Sequence, residues 1–335
     1  MLRFLLLVAM VAGLASAEPV RIIFDTDVGN DIDDAIALAV LHAFEARGEA
    51  KILAVTITKD NRWSPPFVDL VNTFFGRPDI PIGIVKDGKR RNDGRYTKTV
   101  VEEKGPAGEP LYPRRLGPDS PVPDAVVLLR RTLAAQNEDA VVIVQTGVST
   151  NLARLLDSGP DDSSPLSGRE LVARKVRLLV TMAGWFPEGY RESNIINDIP
   201  AASKVFKDWP RTVVTSGWEV GGTIHYSGWW LARDFGYTPH HPIADAYRAF
   251  RTMPYDEPLF DPTAVLYAVR PEAGYFSLSP GGRILVDDEG HARLVPSSSG
   301  QQHYMIVDDI QRARVLEALT LLMSQPPPNL IRARP

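Results

Sequence analysis

Short apolar runs alternate with longer amphipathic stretches along most of this chain. The apolar runs are rich in β-branched residues and predict strands at Val20–Phe24, Ile52–Ile57, Ala140–Gln145, Val176–Met182 and Arg211–Thr215. Helices are predicted between them, over Asp33–Arg47, around Val68–Phe75, from Ser149 onward and near Ala201–Phe206. Strands that alternate with helices pair in parallel, so the pattern predicts an α/β fold with a mostly parallel sheet covered on both faces.

Two regions depart from this alternation. Tyr275–Val307 contains several short strand-like runs, which we expect to be antiparallel, and a final helix is predicted over Ile310–Met323. Lys86–Pro123 is rich in Gly, Pro, Lys and Arg and has no apolar periodicity, so a long surface loop that could act as a lid is expected there. The alternation resumes after this loop. The sequence therefore predicts a single domain over residues 18–330.

The first 17 residues have the pattern of an export signal. Arg3 is followed by the apolar run Phe4–Leu14 and by the small residues Ala15-Ser16-Ala17. We expect cleavage before Glu18, a periplasmic or secreted protein, and no membrane attachment afterwards.

Composition narrows the classes of function. The 335 residues carry a formal net charge of −4, which argues against a nucleic-acid partner. The chain has no cysteine, which excludes a disulfide, a lipidated cysteine and a thiolate zinc site.

The first predicted strand leads directly into a dense group of carboxylates. The segment DTDVGNDIDDA, which starts at Asp25, contains five aspartates and precedes an alanine-rich helix. One or two would be explained as helix caps, but five carboxylates repel one another strongly. A hard divalent cation with oxygen ligands is the usual way to offset that repulsion.

Polar residues also follow the other predicted strands. Asp60 and Asn61 come after the second strand, and Thr146 and Gly147 follow a later one. The carboxyl ends of parallel strands share one edge of a sheet, where ligands bind. Taken singly, each residue has a plain structural explanation as a cap or a turn residue.

Taken together, these segments resemble the inosine–uridine-preferring nucleoside hydrolases. The resemblance extends from Val20 to Tyr304 and rests on the ordered motifs DTDVGNDIDDAIAL, LAVTITKDN, VQTGVSTNLA, TMAGW…RESNIIND and FDPTAV. It implies a Rossmann-like open mixed sheet flanked by helices, one Ca²⁺ ion and hydrolysis of the N-glycosidic bond of a nucleoside or related N-riboside. Members are commonly oligomers, so a homo-oligomer is also expected.

The resemblance also implies roles for individual residues. The metal ligands would be Asp27, Asp34, Asp261 and the backbone carbonyl of Thr146, with Asp27 also activating a metal-bound water as the catalytic base. The ribose would be held by Asp33, Asn61, Met182, Glu192 and Asn194.

Three departures from the family pattern affect the site. The aspartate motif is two residues longer than the compact form, so Asp31 competes with Asp33 for a role. The segment from Met182 to Glu192 is short, which leaves Tyr190 as a candidate at the 5′-hydroxyl. Phe260 stands where some members have the histidine that protonates the leaving base.

Other residues are candidates for the leaving-group side. As proton donors they are His240, His241, Tyr247 and Tyr255, and as stacking partners they are Trp63, Trp185 and Phe260.

Two alternative functions remain open at this point. A strand followed by Asp25 and Asp27 also resembles the first motif of haloacid-dehalogenase-type (HAD-type) phosphatases, with Asp308 and Asp309 as a later acidic pair. An exported calcium-dependent protein that binds nucleosides or ribose without efficient catalysis would use the same residues as the hydrolase.

Overall fold

A computed structural model of the chain describes residues 18–187 and 189–332. The export signal predicted for residues 1–17 lies outside this part of the chain. Within the two described ranges, every helix falls short of the length and apolarity needed to cross a bilayer.

The strands and helices follow one another in the predicted alternation. The strands are β1 Val20–Thr26, β2 Ala50–Ile57, β3 Ile82–Ile84, β4 Val141–Gln145, β5 Val176–Met182, β6 Thr212–Ser216, β7 His225–Ser227, β8 Asp256–Pro258, β9 Ser277–Leu278, β10 Gly282–Val286, β11 Ala292–Pro296 and β12 Gln302–Ile306. The first seven helices are α1 Asp33–Ala46, α2 Ser64–Phe74, α3 Thr97–Glu102, α4 Ala125–Ala134, α5 Thr150–Asp157, α6 Gly168–Lys175 and α7 Ser193–Ile196. The others are α8 Ile199–Asp208, α9 Trp218–Gly221, α10 Leu231–Phe235, α11 Pro242–Phe250, α12 Phe260–Val269, α13 Asp309–Met323 and α14 Pro328–Arg332, with a short 3₁₀ turn at Gly228–Trp230.

One mixed sheet organises the described residues. Its strand order is β11-β10-β12-β6-β5-β4-β1-β2-β3, and β9 pairs with β12. All pairs from β12 through β6 to β3 are parallel, whereas β9, β10 and β11 run antiparallel to their neighbours. The predicted α/β fold with a mostly parallel sheet is therefore confirmed.

The central strands are buried on both faces, which explains their continuous apolar runs. On β1, Ile22 and Phe24 belong to the hydrophobic cluster that includes α1, α12 and α13, while Ile23 belongs to the cluster formed with α4, α5 and α8. Each of these side chains is 0% exposed. Full burial of a large aliphatic or aromatic side chain stabilises a fold by ~1.5–3 kcal/mol, so both helical layers are held to this strand.

The strand order of the sheet indicates where a ligand would bind. Chain order reverses between β1 and β4: the sheet continues from β1 to β2 and β3 on one side, and from β4 to β5 and β6 on the other. A crevice opens at such a switch point, outside the carboxyl ends of the strands. The aspartate motif begins at the end of β1 and therefore lies beside this crevice.

The expected long surface loop is only partly correct. Lys86–Pro123 contains helix α3, and its side chains Tyr96, Val100 and Tyr112 are buried against the rest of the fold. The hydroxyl of Tyr96 donates a hydrogen bond to the backbone carbonyl of Asp31 at 3.1 Å. The segment is thus anchored to the aspartate motif by a few widely spaced apolar residues, which produce no periodic pattern.

His241 is a buried titratable group that links stability to pH. It precedes α11, and its ring packs against Phe74 and Phe235, with ring centroids 4.6 and 4.7 Å apart. Burial lowers the pKa of its imidazole from 6.5 to about 3. Below pH 6.5 the unfolded chain binds a proton that the folded chain excludes, so this residue makes the fold less stable as the pH falls from 6.5 towards 3.

We predict that His241→Gln flattens the acid side of the stability profile. Between pH 7 and pH 5 the histidine accounts for a loss of about 2 kcal/mol in the free energy of unfolding, which urea denaturation at the two pH values measures. His240→Gln is the matched control, because its side chain is exposed. An unchanged difference between pH 7 and pH 5 in His241→Gln would contradict the prediction, whatever the absolute stability of the variant.

Candidate active site

A cavity of about 220 Å³ opens at the carboxyl ends of β1, β4, β5 and β6. The structure brings most of the predicted site residues together around it. Those lining the cavity are Asp27, Asp33, Asp34, Thr146, Met182, Trp185, Glu192, Asn194, Phe260 and Asp261. Residues from five separate segments of the chain therefore converge on one cavity.

Three carboxylates form its acidic floor, namely Asp33, Asp34 and Asp261. Each offers an oxygen that lies within 4.8 Å of those of the other two, and the residues are 2%, 2% and 5% exposed. Burial, followed by the charge of Asp31, raises the pKa of Asp33 to about 8. The pKa values of Asp34 and Asp261 also lie well above their usual range, through burial first and then the charges of Asp27 and Asp33 respectively.

The first turns of two helices position the three carboxylates of the acidic floor. Asp33 and Asp34 lie in the first turn of α1, and Asp261 lies in the first turn of α12. The backbone N–H of Asp261 donates a hydrogen bond to Asp33 Oδ2 at 3.0 Å, which ties the two helix starts together. Helix N-termini favour negative charge, so both helices partly offset the repulsion within the floor.

Asp27 lies beside the floor but is engaged by basic and amide groups. Arg90 Nη1 donates to Asp27 Oδ2 in an ion pair, and Asn30 Nδ2 donates to the same oxygen at 2.5 Å. Lys59, whose side chain is fully buried, donates to the amide oxygen of Asn30. Unlike the acidic floor, this carboxylate is therefore held by a network of cationic and amide groups.

The donor set fits a hard divalent cation. The acidic floor supplies three carboxylates whose pKa values are raised by burial and mutual repulsion, so a positive charge among them would be strongly favoured. Thr146 lines the same cavity, and its hydroxyl donates to Asp34 Oδ1 at 3.4 Å. Carboxylate and carbonyl oxygens are ligands of Ca²⁺ and Mg²⁺.

Glu192 and Asn194 build the opposite side of the cavity. Glu192 accepts from the backbone N–H of Asn194 at 2.7 Å and from that of Gly184 at 3.1 Å. Asn194 Nδ2 donates to the backbone carbonyls of Thr146 at 2.8 Å and Met182 at 3.1 Å. Burial raises the pKa of Glu192 to about 7. These residues join the ends of β4 and β5 into one rigid rim.

Gly147 allows the strand ends to approach this closely. A Cβ atom at this position would lie 2.2 Å from Thr58 Oγ1 and 2.7 Å from the backbone nitrogen of Asp27. Real Cβ atoms do not make such contacts, so any larger residue would push the β4 end away from the aspartate motif. The need for glycine at position 147, directly after Thr146, is therefore steric.

Three aromatic side chains line one side of the cavity. We call this surface the aromatic wall, and it consists of Trp185, Trp218 and Phe260. Trp185 stacks on Trp218 with ring centroids 3.8 Å apart and an interplanar angle of 21°. The Trp218 and Phe260 centroids are 6.0 Å apart. The wall presents flat apolar surface near the acidic floor, as a planar heterocyclic base would need.

Several predicted residues are not brought to the cavity. Asn61 is buried to one side, where its amide nitrogen donates to the backbone carbonyl of Asn92 at 3.0 Å. His241 is enclosed by aromatic rings, and Tyr247 donates to the backbone carbonyl of Tyr255 at 2.9 Å in the core. Because they are held by these contacts, neither His241 nor Tyr247 reaches the leaving-group side.

The phosphatase interpretation finds no support in this geometry. Asp25, which it requires as a nucleophile, is 0% exposed and accepts hydrogen bonds from Thr56 at 2.6 Å and Asn151 at 2.8 Å. Asp308 caps helix α13, with its carboxylate accepting from Gln311 N at 2.7 Å. Asp25 is a buried residue that joins β1, β2 and α5, and it does not line the cavity.

Three residues around the cavity were not predicted. They are Arg90, Arg191 and Trp218. Ser193, which belongs to the RESNIIND motif, also lines the cavity. Trp218 follows the end of β6 by two residues, so the rule that identified the other strand ends could have found it. Arg90 comes from the aperiodic segment Lys86–Pro123, in which no pattern marks a site residue. Asp31 also lines the cavity, but it is exposed, whereas Asp33 is buried.

Comparison with known proteins identifies the family. Residues 22–318 match the family model described as inosine-uridine preferring nucleoside hydrolase. The pyrimidine-specific ribonucleoside hydrolase RihA of Salmonella paratyphi B is 32% identical over 273 residues, covering 75% of this chain and 80% of the relative.

Solved structures show the same fold. The inosine-uridine preferring nucleoside hydrolase from Bacillus anthracis has a TM-score of 0.67 at 17% identity, covering 91% of this chain and 99% of that one. An inosine-guanosine nucleoside hydrolase has a TM-score of 0.68 at 19% identity, covering 90% and 98%. The match extends over nearly all of the described sheet and its helices, and the chain belongs to the inosine-uridine preferring nucleoside hydrolase family, whose members are ribonucleoside N-ribohydrolases.

Proposed function

We propose that this protein hydrolyses the N-glycosidic bond of ribonucleosides or related N-ribosides with Ca²⁺ as its cofactor and Asp27 as its catalytic base. The observation that carries the proposal is the acidic floor, buried at the strand ends and facing the aromatic wall across one cavity. A furanose with two hydroxyls and a planar leaving group matches those two surfaces.

The cation would be held by the acidic floor residues Asp34 and Asp261, by Asp27 and by the carbonyl of Thr146. When bound, it would supply Lewis-acid chemistry, lowering the pKa of a water and polarising sugar hydroxyls. Ca²⁺ is favoured over smaller ions because it accepts six to eight oxygen ligands in flexible geometry.

The chain's own residues then perform the remaining tasks. Asp27 takes the proton from the attacking water, and Asp33 accepts a hydrogen bond from a ribose hydroxyl. Asn194, held by the carbonyls of Thr146 and Met182, keeps the rim rigid against the sugar. Fixing the sugar in a reactive geometry lowers the barrier without any further chemistry from these side chains.

Departure of the base relies on the aromatic wall. Among the described residues that line the cavity, none is a histidine or a tyrosine. Phe260 and Trp185 offer ring faces on which a base would stack, and stacking would hold a planar base in place as the bond breaks. We therefore propose that substrates with aromatic bases are preferred over those with small leaving groups.

The proposal also covers the location of the protein and one alternative function. Export from the cytoplasm rests on the pattern Arg3, Phe4–Leu14 and Ala15–Ala17, which lies outside the described residues. Ribose or nucleoside binding without turnover is the alternative that a failed hydrolysis experiment would favour, since binding uses the same floor and wall.

The first prediction concerns Asp27. Asp27→Asn keeps the size of the side chain but removes the base, so we expect release of free ribose from a panel of inosine, uridine and guanosine to fall by ~10²–10⁴-fold in the presence of Ca²⁺. Asp162→Asn, an exposed aspartate far from the cavity, is the control. Equal rates for Asp27→Asn and the control would refute the assignment of the base.

The second prediction tests the cation without measuring activity. In EDTA, Asp261→Asn should melt a few degrees higher than the unmodified protein, because one of three buried, mutually repelling carboxyls is removed. Addition of Ca²⁺ should raise the melting temperature of the unmodified protein more than Mg²⁺ does and should leave Asp261→Asn nearly unchanged.

Differential scanning fluorimetry measures these shifts. Asp288→Asn, an exposed substitution with the same change of charge, serves as the control and should respond to Ca²⁺ like the unmodified protein. A full Ca²⁺ shift in Asp261→Asn would show that the acidic floor does not hold the ion.

A further inference from the structure

Arg90 brings a permanent positive charge into an otherwise acidic cavity. Its side chain is 16% exposed, and besides Asp27 it contacts Ser193, to which Nη2 donates at 2.7 Å. Its backbone is fixed as well, because the N–H of Asp60 donates to the Arg90 carbonyl at 2.8 Å. The Arg90 backbone is therefore anchored to the segment that follows β2, and Asp27 and Ser193 hold its guanidinium at the cavity.

The guanidinium of Arg90 has more donors than these two contacts use. A guanidinium carries five N–H donors, and Asp27 and Ser193 each accept from one terminal nitrogen of Arg90. Because Arg90 lines the cavity, an anionic ligand there can accept from the remaining donors.

A second guanidinium lines the same cavity. Arg191 is exposed, and among the described residues no carboxylate lies within ion-pair distance of it. Its backbone pairs with His291 in an isolated antiparallel bridge, so its position is also fixed by the fold. Ser193, the hydroxyl that Arg90 contacts, comes two residues later and lines the cavity too.

We infer that this site takes ribosyl compounds that carry a phosphate on the sugar, with Arg90, Arg191 and Ser193 binding the phosphate. Guanidinium groups present forked N–H donors that match phosphate oxygens, and a hydroxyl adds a further donor. The inference rests on the proposed function for the orientation of the sugar: with the diol at the acidic floor, the 5′ position is the one free to carry the anion. The substrate class is then nucleoside 5′-phosphates or related N-riboside 5′-phosphates.

Binding measurements test the inference apart from catalysis. Isothermal titration of the Ca²⁺-loaded protein with ribose 5-phosphate, ribose and inorganic phosphate should show at least tenfold tighter binding of ribose 5-phosphate than of either other probe. Arg191→Gln should reduce this preference over ribose by about tenfold, as loss of one charge-assisted contact implies. Arg169→Gln is the matched control, since its side chain is 59% exposed on α6.

Kinetic measurements distinguish the phosphate-binding inference from the proposed hydrolase function. For uridine 5′-monophosphate against uridine, kcat/KM should favour the phosphate, and Arg191→Gln should lower that ratio while Arg169→Gln preserves it. Hydrolysis of both compounds without a preference, together with equal binding of ribose and ribose 5-phosphate, would overturn the inference and leave the hydrolase intact. Preferential binding of ribose 5-phosphate with no hydrolysis of either compound would support the inference and overturn the proposed function.

Discussion

Mutual repulsion among buried carboxylates is the constraint on which this structure depends. Asp33, Asp34 and Asp261 are each at most 5% exposed, yet their oxygens lie within 4.8 Å of one another. Three features oppose the repulsion within the protein itself: the N-termini of α1 and α12, the hydroxyl of Thr26 donating to Asp34, and the arginine and lysine beside Asp27. Proteins retain such an arrangement where a ligand makes use of it.

The sheet was largely predictable because its central strands are buried on both faces. Doubly buried strands such as β1 and β4 must be continuously apolar, and that pattern is visible without a structure. The helix predicted over Asp33–Arg47 ends one residue beyond the observed end of α1 at Ala46. The segment Lys86–Pro123 was harder, since Tyr96, Val100 and Tyr112 anchor it at irregular spacing and only tertiary contacts reveal their burial.

The candidate site was predictable where residues follow strand ends and unpredictable elsewhere. Asp33, Thr146, Asn194 and Asp261 converge because parallel strands share an edge, a property of topology that local sequence already implies. Arg90 reaches the cavity from a segment with no such rule. His241 illustrates the opposite case, since its proximity in sequence to Asp261 suggested a site residue, whereas its ring is enclosed by Phe74 and Phe235.

The hydrogen bond from the Asp261 backbone to Asp33 joins positions 228 residues apart. The chain must be synthesised as far as α12 before this contact can form, and closing a loop of that length costs conformational entropy. A chain that ends before α12 therefore lacks one of the three carboxylates of the acidic floor. Assembly of the acidic floor is in this way a property of the tertiary fold and not of any local segment.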